Sequence, residues 1–395
     1  MRVVLVGGGH AHVHLLAAAA ANPLKDTDLV LVSPTGWHHY SGMVPGYLAG
    51  TYTEADMAFD LRALAREAGA RLVEGFATSI SAARGEIDVE ARSPAGAGAG
   101  VGARGGASAE VQRISFDRAS LDVGSVPVGL ELPGVREHAA SVRPMSRAVE
   151  LRERLDALVA RDHEGPVRVC VVGAGAGGVE VALALNRRIL AGGGGARVTL
   201  VEAGEHVLPG FSERVRRRAL RVLHRAGVTV LVRTRATRVA PDALALESGE
   251  SLPSELTVWL GGAAPPPLLG GSDLPLDPEG FFLVDAELRA VARDRAGRPP
   301  VWGAGDCIAL EGAPWMPRAG VYAVRQSPIL ARNVLGAPDA DAAPARYSPQ
   351  RSFLALLNSA DGRALLRWKG LVSHSRWAWW LKDRIDRRFM ARYQR

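Results

Sequence analysis

The chain has 395 residues, 47% of them hydrophobic and 23% charged, a composition typical of a folded globular protein and not of a disordered or membrane-spanning one. This length predicts two or three domains. Only Cys170 and Cys307 occur, which excludes a disulfide framework and suits a reducing cytoplasm, and the formal net charge is +7.

The N-terminal residues predict a strand, a tight turn and a helix. A β-branched run at 3–6 precedes three consecutive glycines, and an apolar helix then extends to Pro23. A second apolar run at 28–34 predicts the next strand. Short apolar strands that alternate with helices are typical of a parallel, doubly wound sheet. We therefore expect an α/β fold.

The same pattern returns at 167–202, so the chain uses this unit twice. Between the two units, residues 91–109 are rich in Gly and Ala and predict a mobile loop at the tip of a hairpin. Residues 261–280 are rich in Gly and Pro and should lead the chain out of the second unit, before further strands at 281–285 and 299–307. This order predicts one nucleotide-binding domain that is interrupted by a second.

The second unit carries a complete GxGxxG turn. Glycine lets the backbone approach a pyrophosphate, while the helix N-terminus supplies free N–H groups and a partial positive charge. The glycine positions are filled by Gly173, Gly175 and Gly178. The next strand ends in Glu202, whose carboxylate can accept hydrogen bonds from an adenosine ribose and would repel a 2′-phosphate. NADH is therefore favoured over NADPH, although Arg214 and the arginines at 216–218 leave NADPH open.

The first unit carries a degenerate copy of this turn. Gly7 and Gly9 are present, but His12 replaces the third glycine and Ser33 stands where the ribose carboxylate usually lies. Taken alone, such a turn could belong to a sheet protein that binds no nucleotide. Alternate residues of a helix do not share a face, so we expect no metal site from His10, His12 and His14.

Several longer motifs, in their order along the chain, resemble one family. GGGHAH, SPTGWHHYSGMVPGYLAG, LDVGS, ELPGV, GAGAGGVE, VWLGG and VWGAGDC are similar to the pyridine nucleotide-disulfide oxidoreductase superfamily over nearly the whole chain. YSGMVPG, AGVYAVRQSPILARN and WAWWLKDRIDRRFM resemble most the flavoprotein domain found alone or fused in front of selenide, water dikinase. The sequence ends at Arg395, so we expect the stand-alone form. The chain is also similar to type II NADH dehydrogenase and sulfide:quinone oxidoreductase.

The resemblance implies two Rossmann-like, doubly wound dinucleotide-binding domains, the second inserted in the first. We expect an FAD-binding domain at 1–145 and 271–340, an NAD(H)-binding domain at 146–270 and a helical C-terminal segment at 341–395. The residues that the resemblance assigns to FAD are Gly7, Gly8, Gly9, His10, Ala11, Ser33, Pro34, Gly42, Met43, Pro45, Gly124, Gly305, Asp306, Ala319, Gly320, Val321 and Tyr322. Those that bind NAD are expected to be Gly173, Gly175, Gly178, Glu202 and Gly262.

These assignments imply a reaction. NADH would reduce bound FAD by hydride transfer, and the electrons would pass to a small-molecule acceptor such as a quinone. The resemblance places Glu180 near the nicotinamide, whereas Asp122 and Val123 depart from the usual ATG turn before Gly124. A sulfide:quinone-type oxidoreductase is an alternative, but Cys307 lacks a nearby second thiol. A flavin-bound accessory module of selenium metabolism, with little turnover, is another.

The C-terminal residues 376–395 carry seven basic and two acidic side chains, and thus a net +5 of the total charge. On a helix, Leu381, Ile385, Phe389 and Tyr393 would form an apolar stripe beside Arg384, Arg388 and Arg392, with Trp377, Trp379 and Trp380 at its start. Such a helix either packs on its own domain or a second subunit, or lies in a membrane interface. We expect a cytoplasmic protein, peripheral at the inner face of the membrane in the second case, and no nucleic-acid partner, since no recognition motif accompanies the charge.

Overall fold

A computed structural model describes residues 1–91, 111–161, 165–291, 299–336 and 343–394. The predicted Gly and Ala-rich loop lies outside the described residues from position 92 onward. The helices are α1 His10–Ala21, α2 Val44–Leu48, α3 Glu54–Met57, α4 Leu61–Glu67, α5 Val135–His138, α6 Arg147–Val159, α7 Ala176–Ala191, α8 Glu213–Arg225, α9 Pro267–Gly270, α10 Gly320–Leu335 and α11 Arg376–Tyr393.

The strands belong to two large parallel layers and several small sheets. In chain order they are β1 Arg2–Val6, β2 Asp28–Ser33, β3 Trp37–His39, β4 Ala58–Asp60, β5 Ala70–Ser81, β6 Glu86–Ala91, β7 Val111–Ser115, β8 Arg118–Leu121, β9 Val126–Pro127, β10 Val167–Val172, β11 Ala196–Val201, β12 Thr229–Leu231, β13 Ala236–Val239, β14 Ala243–Leu246, β15 Ser251–Pro253, β16 Leu256–Trp259, β17 Ala263–Ala264, β18 Phe282–Val284, β19 Val301–Gly303, β20 Ile308–Leu310, β21 Ala355–Asn358, β22 Ala364–Trp368 and β23 Leu371–Ser375. A 3-10 turn spans Gly305–Cys307.

The first large sheet has the strand order β19-β8-β1-β2-β5-β6-β7. Its first five strands are parallel, and β5, β6 and β7 form an antiparallel meander. The residues of β1 from Val3 to Val6 are at most 1% exposed, as the apolar run requires for a strand that is covered on both faces. Helices α1 and α10 pack against each other beside this sheet.

The second large sheet is parallel throughout and has the order β12-β11-β10-β16. All its strands come from residues 167–259, whereas the first sheet takes strands from both sides of this interval. The predicted α/β fold with two doubly wound units is therefore confirmed. Strands β6 and β7 form an antiparallel pair on either side of the segment predicted at a hairpin tip, whereas the addition of β5 to this pair and the antiparallel sheet β13-β14-β15 were not predicted.

The C-terminal segment differs from the expected purely helical one. The antiparallel strands β21, β22 and β23 precede α11 and pack against it. Part of the predicted apolar stripe of α11 packs on the protein, since Phe389 contacts Tyr40 and Tyr393 is 4% exposed, whereas Ile385 is 42% exposed. The packed face also carries an ion pair between Lys382 and Asp386, which are only 7% and 4% exposed and which a search for apolar periodicity overlooks.

Candidate functional site

The first glycine turn lies at the carboxyl edge of the first sheet. Gly7 follows β1, Ser33 ends β2, Gly124 lies beyond β8 and Asp306 follows β19, and these four parallel strands are neighbours. The order reverses between β1 and β8, which is where open parallel sheets bind ligands. The structure thus brings together predicted FAD residues from distant parts of the chain.

This edge fits a phosphate group. Among the described residues, nothing accepts a hydrogen bond from the amides of Gly8, Gly9 and His10, which lead into α1. A Cβ built on Gly124 would meet no atom within 4 Å, so the loop after β8 leaves space beside the turn. Unpaired amides at a helix N-terminus next to open space are what an anionic pyrophosphate requires.

His12, at the third glycine position, is a buried structural residue. Its Nδ1 lies 2.6 Å from the carbonyl oxygen of Gly7 and its Nε2 lies 2.8 Å from Ser120 Oγ. Burial lowers its pKa to about 4, so the ring is neutral near pH 7. The imidazole therefore ties α1 to β8 where a glycine would let the helix approach the strand.

Asp122 occupies part of the first turn of α1. Its Oδ2 accepts hydrogen bonds from Ala11 N at 2.7 Å and His12 N at 3.3 Å. The side chain is 4% exposed. Burial, as the main cause, raises the pKa of its carboxyl to about 7, and the nearby Asp306 adds to this rise. Gly9 is required here, because a Cβ would collide with this carboxyl group.

The second glycine turn lies at the carboxyl edge of the second sheet, between β10 and α7. Gly173 has φ +100°, and a Cβ there would collide with the carbonyl of Leu260, while a Cβ on Gly178 would collide with the carbonyl of Gly173. Both positions therefore exclude a side chain. Glu202 directly follows β11 and accepts hydrogen bonds from Ala174 N at 2.7 Å and Gly204 N at 2.8 Å, which hold its carboxylate at the turn.

The space in front of this turn is open. A Cβ on Gly175 or Gly177 would meet no atom within 4 Å. The carbonyl of Gly262, which follows β16, accepts a hydrogen bond from Val128 N. Gly262 therefore lies next to the short antiparallel pair β9-β17. The arrangement can hold a dinucleotide whose ribose meets Glu202.

Two further segments with predicted FAD residues meet beside α1. Ser41 Oγ lies 3.6 Å from the Cβ position of Gly320, the first residue of α10, so the start of α10 adjoins Gly42. The neighbouring ring of Tyr40 lies 5.5 Å from that of His10. Of the remaining predicted residues, those in these two segments are Met43, Pro45, Ala319, Val321 and Tyr322, whereas Pro34 follows β2 and Gly305 follows β19 at the edge of the first sheet.

Glu180 belongs to a cluster of buried charges at the contact of α7 with the C-terminal segment. Its Oε1 accepts a hydrogen bond of 2.6 Å from Asn358 N. Lys382 Nζ lies 2.8 Å from Asp386 Oδ2 and donates to the carbonyl oxygen of Gly42 at 2.7 Å. Tyr40 Oη donates to Asp386 at 3.2 Å.

The charges in this cluster shift one another's pKa. Burial raises the pKa of Glu180 to about 7, although Lys382 opposes the rise. The pKa of Lys382 is raised, because attraction to Asp386 and Glu180 outweighs the burial of its ammonium group. Glu180 therefore exchanges between a protonated and an ionised form near neutral pH, while Lys382 stays charged.

α11 has two contrasting faces. One packs on the start of α1 and on the 40–42 segment, where the ring of Phe389 lies 4.7 Å from that of Tyr40. The opposite face exposes Trp377 and Trp380 by 58% and 51%, together with the exposed Arg384 and Arg388. Within the described part of the chain, no helix combines the length and the apolarity needed to cross a bilayer.

The other titratable candidates are the two cysteines and three histidines near the first glycine turn and the 37–40 segment. Cys170 lies inside β10, as predicted, and Cys307 is buried, which raises its pKa to about 12. His39 Nε2 lies 3.1 Å from Glu54 Oε1. His10 and His38 meet edge to face at 4.8 Å, and the buried Nε2 atoms of both have no hydrogen-bond partner among the residues that the structure describes.

Sequence reasoning missed Lys382, Asp386 and Tyr40, and noted Asp122 only as a departure from a motif. A Lys and an Asp four residues apart are a local signal of an ion pair on a helix. The contacts with Gly42 and with the first turn of α1 join residues 340 and 111 positions apart, and one sequence carries no signal for them.

Known proteins resemble this chain over most of its length. Residues 1–331 match the family model of pyridine nucleotide-disulphide oxidoreductases. Demethylphylloquinone reductase NdbB of Synechocystis is 27% identical over 263 residues, which are 64% of this chain and 62% of that protein. The type II NADH:quinone oxidoreductase NdhA of Mycobacterium tuberculosis is 25% identical over 366 residues, 86% of this chain and 73% of that protein.

Among solved structures, NDH2 from Plasmodium falciparum in complex with NADH has the same fold, with a TM-score of 0.78 and 13% identity over 99% of this chain and 97% of that one. The chain spans less than two thirds of the cyanobacterial relative. Its likeness to the domain fused to selenide, water dikinase stays a prediction. The expected superfamily is confirmed, because the family model covers most of the sequence: this chain belongs to the pyridine nucleotide-disulphide oxidoreductase family.

Proposed function

We propose that the protein is an FAD-dependent oxidoreductase that oxidises NADH and passes the electrons to a quinone. The observation that carries this proposal is the pair of glycine turns, each with amides at the start of a helix that no described residue accepts from, and with open space in front of the second turn. Relatives whose names include quinone reduction and NADH support the acceptor and the donor. The division into domains at 1–145 with 271–340, 146–270 and 341–395 is part of the proposal.

Each predicted site residue has a distinct task in this function. The amides from Gly8 to His10 would hold the FAD pyrophosphate, and Asp306 would accept a hydrogen bond from the ribityl chain. Gly175 would admit the NADH pyrophosphate, and Glu202 would bind its adenosine ribose. Bound FAD supplies the redox chemistry, taking hydride from NADH and giving electrons to the acceptor.

Glu180 would position the nicotinamide and hold or release a proton at its carboxyl group near neutral pH, since burial raises its pKa to about 7. Lys382 connects Gly42 to α11, because its Nζ donates to the carbonyl of Gly42 and to the carboxylate of Asp386. The buried face of α11 keeps water away from this contact, and a dry site strengthens the electrostatic alignment of the reactants.

NADH should bleach the flavin in anaerobic stopped-flow measurements, NADPH should do so more slowly, and steady-state turnover should follow with a short-chain quinone. In the Glu202→Gln variant, the preference for NADH in kcat/KM should fall about tenfold, or about 1.4 kcal/mol, because the charge that repels a 2′-phosphate is gone. Glu205→Gln, which changes a 66% exposed carboxylate three residues later, is the matched control.

Two results would count against the proposal. If the protein binds no FAD, or if NADH does not reduce the bound flavin, it is not an FAD-dependent NADH oxidoreductase. Equal preference for the two nucleotides in the native protein, unchanged in Glu202→Gln, would remove Glu202 from the ribose site. A sulfide:quinone reaction through cysteine is disfavoured, because Cys170 and Cys307 are both buried and the pKa of Cys307 is raised to about 12.

We also propose that the exposed face of α11 binds the surface of an anionic membrane, where the quinone would be reached. Trp377 and Trp380 are exposed at one end of the helix, and Arg384 stacks on the ring of Trp380 at 5.6 Å. Tryptophan prefers the headgroup region, and arginine is attracted to anionic lipid over about 8 Å at physiological salt. A homodimer through this face is the competing arrangement.

The Arg384→Gln/Arg388→Gln variant should bind anionic liposomes roughly 30-fold more weakly than the native protein, because each arginine contributes about 1 kcal/mol. Binding of the native protein should weaken as the salt concentration rises. Arg217→Gln/Arg221→Gln on α8 is the control of equal charge. Cosedimentation measures both. Equal binding by the two variants would exclude α11 as the membrane contact. Truncation is a poor test, because the other face of α11 covers Tyr40 and Gly42.

A further inference from the structure

The two glycine turns of this chain differ in one respect that the motif does not show. In α7, among the described residues, no side chain accepts a hydrogen bond from the amides of Gly177 and Gly178. In α1, the amides at the same helix positions, Ala11 and His12, donate to the carboxyl group of Asp122. A protein carboxylate therefore already lies on the helix start that a phosphate would use.

The residue that corresponds to Asp122 in the second unit is Leu260. Asp122 N donates to the carbonyl of Val6, the last residue of β1, and Leu260 N donates to the carbonyl of Val172, the last residue of β10. The carbonyl groups of Asp122 and Leu260 likewise pack on the first glycine of each turn. The same position therefore carries a carboxylate in the first unit and an apolar side chain in the second.

The carboxyl group of Asp122 lies between the glycine turn that follows β1 and the turn at Gly305 that follows β19. A Cβ on Gly9 would collide with the carboxyl group, and a Cβ on Gly305 would lie 2.6 Å from Oδ1. With a side-chain exposure of 4%, the group cannot swing into solvent without moving one of these turns. Two phosphate charges and an ionised carboxylate would then share one buried helix start, which is unfavourable.

We propose that Asp122 is an internal carboxylate of the flavin phosphate site that takes up a proton when FAD binds. The proton adds to the carboxylate as FAD enters, which gives a neutral carboxylic acid beside the pyrophosphate, and it is released again when FAD leaves. This inference rests on the proposed FAD cofactor.

The other charged groups around Asp122 do not replace it in this role. From α1, His12 faces it and is neutral, since burial lowers its pKa to about 4. From the 3-10 turn, Cys307 is neutral with a raised pKa. Burial also raises the pKa of Asp306, and the neighbouring Arg143 and Arg318 oppose that rise. The pKa of Asp122 itself is raised to about 7, so the group is largely ionised at pH 8 and largely protonated at pH 6 before FAD binds.

Isothermal titration of the full-length apoprotein with FAD, in buffers of different ionisation enthalpy, measures the proton count. At pH 8 the native protein should take up close to one proton per FAD, and at pH 6 almost none. Its Kd for FAD, followed by flavin fluorescence, should rise about fivefold from pH 7 to pH 8. Asp122→Asn, which keeps an acceptor oxygen, should bind FAD without proton uptake and with a Kd that pH hardly changes.

Asp122→Leu copies the second unit, frees both amides and should lower the Kd at pH 8 at least tenfold. Asp117→Asn, at the far end of β8, is the control and should behave as the native protein. Equal proton uptake in the native protein and Asp122→Asn, or none in the native protein at pH 8, overturns this inference while leaving the proposed function intact. A chain that takes up no FAD overturns both.

Discussion

The Gly175→Val variant should lose reduction of the flavin by NADH, by about 100-fold or more in kcat/KM, and keep its fold and its FAD. Gly175 caps α7 with φ −65° and ψ −176°, an extended conformation that valine adopts readily. Its Cβ position meets no protein atom within 4 Å. The added side chain would therefore fill only the space that a dinucleotide pyrophosphate needs.

The expected loss corresponds to about 2.7 kcal/mol of transition-state stabilisation. Anaerobic stopped-flow reduction measures it, and thermal unfolding should show a change within about 0.5 kcal/mol. Gly165→Val is the control, because Gly165 is exposed and its Cβ position is equally open, yet it lies outside the turn. Reduction of the Gly175→Val flavin at the native rate would show that NADH does not enter through this turn.

The contrast between Gly175 and its neighbours shows how much of the site a sequence can predict. The glycine spacing, the strand before it and the carboxylate of Glu202 are local features, and the structure places all of them at one turn. Whether a given glycine is needed for the backbone or for a ligand is not local. Gly173 needs its positive φ and the close approach of Leu260, whereas Gly175 has free space, and only packing distinguishes them.

The C-terminal segment shows the opposite limit. Its helix was predicted at 376–395 and spans Arg376–Tyr393, because apolar and basic periodicity is a local signal. The face of the helix that packs on the protein was left open by the sequence. Phe389 and Tyr393 of the apolar stripe lie on that face, together with the buried ion pair between Lys382 and Asp386. This pair is satisfied by Tyr40 and by the carbonyl of Gly42, which lie more than 300 residues away in sequence.

That ion pair leads to the second large expected effect. Lys382→Met should lower the free energy of unfolding by about 3–5 kcal/mol, measured by chemical denaturation at pH 7. The side chains of Lys382 and Asp386 are 8% and 5% exposed, so removing the ammonium group leaves the carboxylate buried without a cation. Glu180 would also lose the charge that opposes the rise of its pKa. Lys382→Met/Asp386→Leu should lose less stability than the single variant, because no unpaired charge remains.

The loss in Lys382→Met should depend on pH in a defined direction. The pKa of Asp386 is already raised by burial, and without Lys382 it rises further. A carboxyl group with a folded pKa above its unfolded one stabilises the fold at low pH and loses this contribution as pH rises through the folded pKa. The variant should therefore differ least from the native protein near pH 5 and most near pH 8.

Arg387→Met on the same helix is the control, because it removes a 52% exposed cation paired with Asp383. It should lower the free energy of unfolding by less than about 1 kcal/mol at either pH. Equal losses in the two variants would mean that the buried pair contributes no more than a surface one.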